Sequence, residues 1–259
     1  MSKKMLLNAV AVIALLVAAP MIMAGDAAAQ TSEASRGGPG GPGGPGGPGG
    51  PGNGNGAPSM SGHKAYITES GNYNTNTQDQ TGSKQTSTNV QSGSNNGATT
   101  RQSGKENTAY ITQRGNYNTA NQTQTGESGA AGITQGGSNN RADQTQGGKD
   151  NTATIDQGGN YNTASQTQTG TDSEATILQG GSYNTGVQTQ SGSDQYAYIL
   201  QSGNNNQGYQ TQTGGSDNRA ELTQGGSFNT SYQTQSGVSG SVAWANQSGS
   251  NNTSSQNQH

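Results

Sequence analysis

A glutamine returns every 11 residues through most of this chain, and that beat limits what the chain can fold into. Starting from Glu69, where Glu stands in place of Gln, the column runs Gln80, Gln91, Gln102, Gln113, Gln124, Gln135, Gln146, Gln157, Gln168, Gln179, Gln190, Gln201, Gln212, Gln224, Gln235, Gln247 and Gln258, with occasional one-residue insertions. Two positions after each member as far as Gln247 comes a glycine, from Gly71 to Gly249. A fixed period of this length describes stacked structural units, each touching its neighbours, and not a globular core.

Each unit divides in two. In residues 110–120, YITQRGNYNTA, the first part alternates apolar or small with polar residues as a strand does. The second part, Gly115 to Asn118, is turn chemistry, because Gly and Asn tolerate positive φ and Asn can bond its own backbone. The same turn recurs at Gly137 and Asn140 and at Gly159 and Asn162.

Period-2 alternation then sorts the faces. With the column Gln inward, alternate units also point Ile67, Ile111, Ile133, Ile155, Ile177, Ile199 and Leu222 inward, interrupted by Asn89. The units between them point Gln78, Gln122, Gln144, Gln166, Gln188, Gln210 and Gln233 inward, interrupted by Thr100. The true repeat is therefore 22 residues. It predicts an all-β fold: a β-solenoid with two strands per rung, about eight rungs and a height of roughly 40 Å.

Composition says what must hold such a rod. Only 25% of the 259 residues are hydrophobic, with one Phe and one Trp, and the mean hydropathy is −0.92. Composition of this kind ordinarily leaves a chain disordered. Strict periodicity argues otherwise, because Gln and Asn can be buried when each amide bonds its copy one layer away. Backbone ladders and stacked amides must then carry much of the stability. Charged residues make up 10% and the net charge is −3, so charge-driven nucleic-acid binding has no basis. There is no cysteine, hence no disulfide or thiolate metal site.

The N-terminal residues are of another kind. Lys3 and Lys4 precede an apolar run from Met5 to Val17, and Ala27-Ala28-Ala29 supplies small residues for cleavage. Residues 1–29 read as a signal peptide, leaving no membrane span in the mature chain. Residues 30–65 are rich in Gly and Pro, with Gly-Gly-Pro triplets ending at Pro51. A short collagen-like stretch, a solvated linker and an unfolded export tag all suit that composition. The repeats, taken as residues 66–259, run to Gln256, Asn257, Gln258 and His259 with the strand pattern intact and no polar cap. Exposed terminal strands template further strands, so the expectation is a linear homopolymer with cross-β stacking.

The spacing Gln113-x-Gly115-x-x-Asn118-x-Ala120-x-x-x-Gln124 resembles the curlin repeat. It recurs through Gln157, Gly159, Asn162, Ala164 and Gln168, through Gln135, Gly137, Asn140, Ala142 and Gln146, and through Gln91, Gly93, Asn96, Ala98 and Gln102. The Gly-rich segment ahead of the repeats is similar to the curlin export segment. The resemblance implies a functional amyloid of a bacterial biofilm matrix, exported unfolded through an outer-membrane pore and nucleated at the cell surface by a partner subunit. Curlins commonly carry fewer repeats than this chain, and the segment here is richer in Pro.

Two surfaces invite binding. The intervening units point Thr123, Thr145, Thr167, Thr189, Thr211 and Thr234 outward, and several add a second hydroxyl, as at Thr125, Thr169 and Thr213. A flat Thr-x-Thr face resembles that of ice-binding β-solenoids, although Thr also simply suits an exposed strand. On one turn edge stand Tyr73, Tyr117, Tyr161, Tyr183 and Phe228, which fit an adhesive aromatic stripe or a cover for their own turns. His63 and His259 lie at opposite ends of the repeats, no carboxylate pair recurs beside them, and no catalytic, metal or cofactor site is expected.

Overall fold

The computed structural model describes residues 62–259. The leader read at residues 1–29 and the Gly/Pro segment as far as residue 61 lie outside the described residues. Two parallel sheets of nine strands face each other. The first holds β1 (Lys64–Asn72), β3 (Thr86–Ser94), β5 (Thr108–Asn116), β7 (Ala130–Ser138), β9 (Thr152–Gln157), β11 (Glu174–Gln179), β13 (Tyr196–Gln201), β15 (Arg219–Gln224) and β17 (Val242–Gln247). The second holds β2 (Thr75–Gln80), β4 (Gly97–Gln102), β6 (Thr119–Gln124), β8 (Arg141–Gln146), β10 (Thr163–Gln168), β12 (Thr185–Ser193), β14 (Gln207–Ser216), β16 (Thr230–Ser236) and β18 (Thr253–Gln258). This is the β-solenoid that the period predicts. It has nine rungs where about eight were expected, because the last residues complete a rung of their own.

Strands two apart in sequence pair in parallel, so Ile111 sits over Ile133 and Gln113 over Gln135. Between the β12 and β14 rungs one residue is added, and the register shifts between Ser191 and Ser193. Gly214 and Gly215, at φ 66° and 65°, take up the extra length in the turn, which leaves the strand faces in phase.

The apolar centre is narrow. Ile111, Ile133, Ile155, Ile177, Ile199 and Leu222 are buried, flanked by columns of buried alanines such as Ala109, Ala153, Ala120 and Ala164. Ile67, in the first described rung, is only half-buried, since no described strand stacks on its outer side. The two interruptions read in the sequence fall in the same rung and answer each other. Thr100 Oγ1 donates to Asn89 Oδ1 at 3.1 Å across the core, and Asn89 Nδ2 donates to Asn76 Oδ1 at 2.8 Å. A polar pair thus closes the rung that lacks the Ile and the Gln.

The turns correct one expectation. Most column glycines do take positive φ, for example 106° at Gly115 and 86° at Gly159, with Gly126 and Gly170 the exceptions. The second positive-φ position, however, is the residue before the turn Asn: Tyr117 and Tyr161 both at 57° and Asn139 at 59°. Asn118, Asn140 and Asn162 are instead free to turn their side chains inward, and each is buried.

Candidate functional site

Three columns of glutamine run along the solenoid. In the first sheet, Gln91 Nε2 donates to Gln113 Oε1 at 2.7 Å, and the chain of amides continues through Gln135, Gln157, Gln179, Gln201, Gln224 and Gln247 at 2.8 Å each. In the second sheet the column Gln80, Gln102, Gln124, Gln146, Gln168, Gln190, Gln212, Gln235 and Gln258 is joined at 2.7–3.0 Å. A third column, from Gln122 to Gln233, is joined in the same way at 2.8–2.9 Å.

Each carboxamide uses its second hydrogen across the core. Gln113 Nε2 donates to the Gly97 carbonyl at 3.0 Å, and Gln157 Nε2 to the Arg141 carbonyl at 3.0 Å. One hydrogen therefore binds rung to rung while the other binds sheet to sheet. This satisfies both donors of a group whose burial would otherwise cost ~1–3 kcal/mol. Gln80, at the described edge, is half-buried, and Gln247 is the most exposed of the buried members at 6%. Glu69 breaks the column at its start: Gln91 Oε1 receives a 3.5 Å bond from Asn76 Nδ2, and none comes from residue 69.

A fourth column was not separated from the turn by sequence reasoning. Asn118 Oδ1 accepts from the Asn140 backbone N–H at 3.0 Å, while its Nδ2 donates to the Gly137 carbonyl at 2.9 Å and the Arg114 carbonyl at 3.4 Å. Asn140 and Asn162 repeat these contacts one and two rungs on. The turn Asn and the turn Gly of the next rung are thus one device. A Cβ on Gly115 would run into the Gly137 carbonyl, as one on Gly137 would into that of Gly159. The signal for it was present, since Asn recurs three positions after each of these glycines.

The outer surface is sparsely charged. Lys84 pairs with Glu106 at 2.8 Å and Lys105 with Glu127 at 3.2 Å, both solvent-exposed and each bridging adjacent rungs. Such pairs contribute little to stability. Among the described residues no group of three or more His, Cys, Asp or Glu is arranged to hold a metal ion, and no helix is long and apolar enough to cross a membrane.

One carboxylate is out of place. Asp156 lies between Thr134 and Leu178 in the outer face of the first sheet; the residue is exposed, yet partial desolvation pushes its carboxyl above the ordinary aspartate range. The folded state therefore holds that proton more tightly than the unfolded one. Stability from this group is highest below the unfolded pKa and falls as pH rises through the raised folded value. Because the residue is exposed and its charge is screened by solvent, Asp156→Asn is expected to raise the urea midpoint only slightly at neutral pH and to leave it unchanged below pH ~3. A midpoint that shifts equally at both pH values would show that charge is not the cause.

The other residues read as surface sites are placed as follows. Thr123, Thr145, Thr167, Thr189, Thr211 and Thr234 stand in register along the second sheet's outer face. Tyr73, Tyr117, Tyr161, Tyr183 and Phe228 are exposed along one turn edge. They do not form a continuous stripe; of these, Tyr161 and Tyr183 stack on each other.

Two stretches, residues 93–126 and 148–181, match the family model described as the curlin associated repeat. Those two stretches are similar to the curlin repeat. Each matched stretch covers the Gly, Asn and Gln positions whose side chains or carbonyls make the rung-to-rung bonds, among them Gly115, Asn118, Gly159 and Asn162. Among curated proteins, none matches the chain. Curlin repeats wound into a β-solenoid point to a non-enzymatic structural subunit of the curli kind.

Proposed function

We propose that this curlin-repeat chain is a secreted subunit that stacks end to end into curli-like extracellular amyloid fibres, giving a biofilm matrix its cohesion and its grip on surfaces. The observation that carries the reading is that one rung-to-rung interface is repeated throughout. Gln113 meets Gln135 as Gln179 meets Gln201, and Asn118 meets Gly137 as Asn162 meets Gly181. A rung of a second molecule offers the same amides, carbonyls and glycines as a rung of the same molecule. Stacking then extends bonds already present and needs no new kind of contact. A nucleating subunit and an outer-membrane export pore are the partners such a fibre requires.

The in-register threonines support a second reading, a soluble ice-binding solenoid. The two separate on dilution of denaturant-solubilised residues 30–259 into buffer. Fibre assembly gives a lag in thioflavin-T fluorescence, shortening of that lag by added seeds, and a meridional reflection near ~4.7–4.8 Å. A persistent β-rich monomer would sink the assembly reading and leave the threonine face to be tested for inhibition of ice recrystallisation.

A further inference from the structure

Two pairs of tyrosines in adjacent rungs are held ring against ring. Tyr161 and Tyr183 follow β9 and β11 in the same turn edge, with centroids 4.9 Å apart and planes within 2°. They are 50% and 55% exposed, so small oxidants and an enzyme surface can reach them. Tyr209 and Tyr232 are paired in register on β14 and β16, with centroids 5.0 Å apart and planes within 7°. We propose that these two pairs are sites of oxidative cross-linking, in which peroxide-driven coupling to dityrosine staples one rung covalently to the next.

The other described tyrosines lack such a partner. Tyr66 and Tyr110 are separated by Thr88, and Tyr110 is followed by Gly132. Tyr198 lies between Thr176 and Glu221 in the neighbouring strands, and the Tyr196 ring is covered by the Arg219 guanidinium at 4.4 Å. Tyr73 and Tyr117 stand alone on the turn edge, with Asn95 and Asn139 one repeat further on.

The chemistry balances with hydrogen peroxide as the oxidant and a haem peroxidase as its activator. Each phenol loses one electron and one proton. The two phenoxyl radicals then join through the carbons ortho to oxygen, and the two ortho hydrogens move to the oxygens as the rings regain aromaticity. Two phenols and one peroxide yield one biphenol and two waters. Coupling demands that the second radical be close when the first forms, and a fixed neighbour supplies an effective concentration that free encounter does not. Exposed side chains reorient within picoseconds to nanoseconds, so stacked rings can swing their ortho carbons together during a radical's lifetime.

The test treats the folded full-length chain, dilute, with hydrogen peroxide and a haem peroxidase, then digests it with a protease that cuts before aspartate. Peptide 156–171 joined to 172–193 and peptide 194–216 joined to 217–259 are expected, each lighter by two hydrogens than the sum of its parts. In a mixture of isotope-labelled and unlabelled chains, each cross-link should join peptides of one isotope. Tyr161→Phe should abolish the first cross-link, keep the second and halve the dityrosine fluorescence. Oxidation confined to Trp244, joins between isotopes, or links scattered over Tyr66, Tyr110 and Tyr117 as in a guanidinium-treated control would overturn the proposal. None of these readouts depends on whether the chains assemble.

Discussion

Gly159→Ala is expected to destabilise the solenoid by about 2–6 kcal/mol, the sum of backbone strain and forced overpacking. Gly159 sits at φ 86°, a conformation that side chains disfavour, and a Cβ there would collide with the carbonyl of Gly181. That carbonyl cannot retreat cheaply. It accepts from Asn162 Nδ2 at 3.0 Å and from the Asn160 N–H at 3.1 Å, so moving it breaks two bonds that join the two rungs. The urea midpoint of the variant should fall, and its thioflavin-T lag should lengthen. Gly132→Ala is the matched control: Gly132 lies on β7 at an ordinary φ, with no atom within 4 Å of an added Cβ. Because Gly weakens a strand interior by roughly 0.5–1 kcal/mol relative to Ala, that change should leave the midpoint unchanged or raise it. Equal losses in both variants would mean that the glycine column is a matter of composition and not of close approach.

The solenoid was legible in the sequence because its two periods are independent. The 11-residue beat of Gln and Gly sets the rung, and the alternation within Tyr110–Gln113 sets the faces. What the sequence did not separate is which turn residue bends the backbone and which reaches inward. Asn is the ordinary choice for a left-handed position, yet Tyr117 holds φ 57° while Asn118 is buried. The reason lies in the next rung: the Gly137 carbonyl accepts a hydrogen bond from inside, and Asn118, the residue just before the following strand, gives it. Asn89 and Thr100 read as two separate flaws for a similar reason. They stand one unit apart, 11 residues, so they share a rung and face each other across the core, where 3.1 Å separates them. The stacked pair of Tyr209 and Tyr232 is not marked by the aromatic turn column, because these two lie on the outer face of the second sheet, where no aromatic period runs.

The amide columns make a sharper claim, that their interior is dry, and Gln157→Glu tests it. Gln157 is fully buried, accepts from Gln135 Nε2 at 2.8 Å, and donates to Gln179 Oε1 at 2.8 Å and to the Arg141 carbonyl at 3.0 Å. An ionised Glu keeps the first bond and loses both donations. It then leaves a buried charge facing two acceptors, which should cost about 3–5 kcal/mol at neutral pH. Burial raises the carboxyl's folded pKa above the unfolded value of about 4.3, so the folded variant binds the proton more tightly. Stability should therefore climb as pH falls from neutral through the raised folded pKa and level off below the unfolded one. A protonated Glu has a single hydrogen, enough for Gln179 but not also for the Arg141 carbonyl. A residual deficit of about 1–2 kcal/mol should persist in acid. Gln157→Ala loses all three bonds without acquiring a titratable group, so its deficit relative to the parent chain should not change with pH. If urea melts across the pH range show the two variants running in parallel, water reaches the column, and the stacked amides are not what binds one rung to the next.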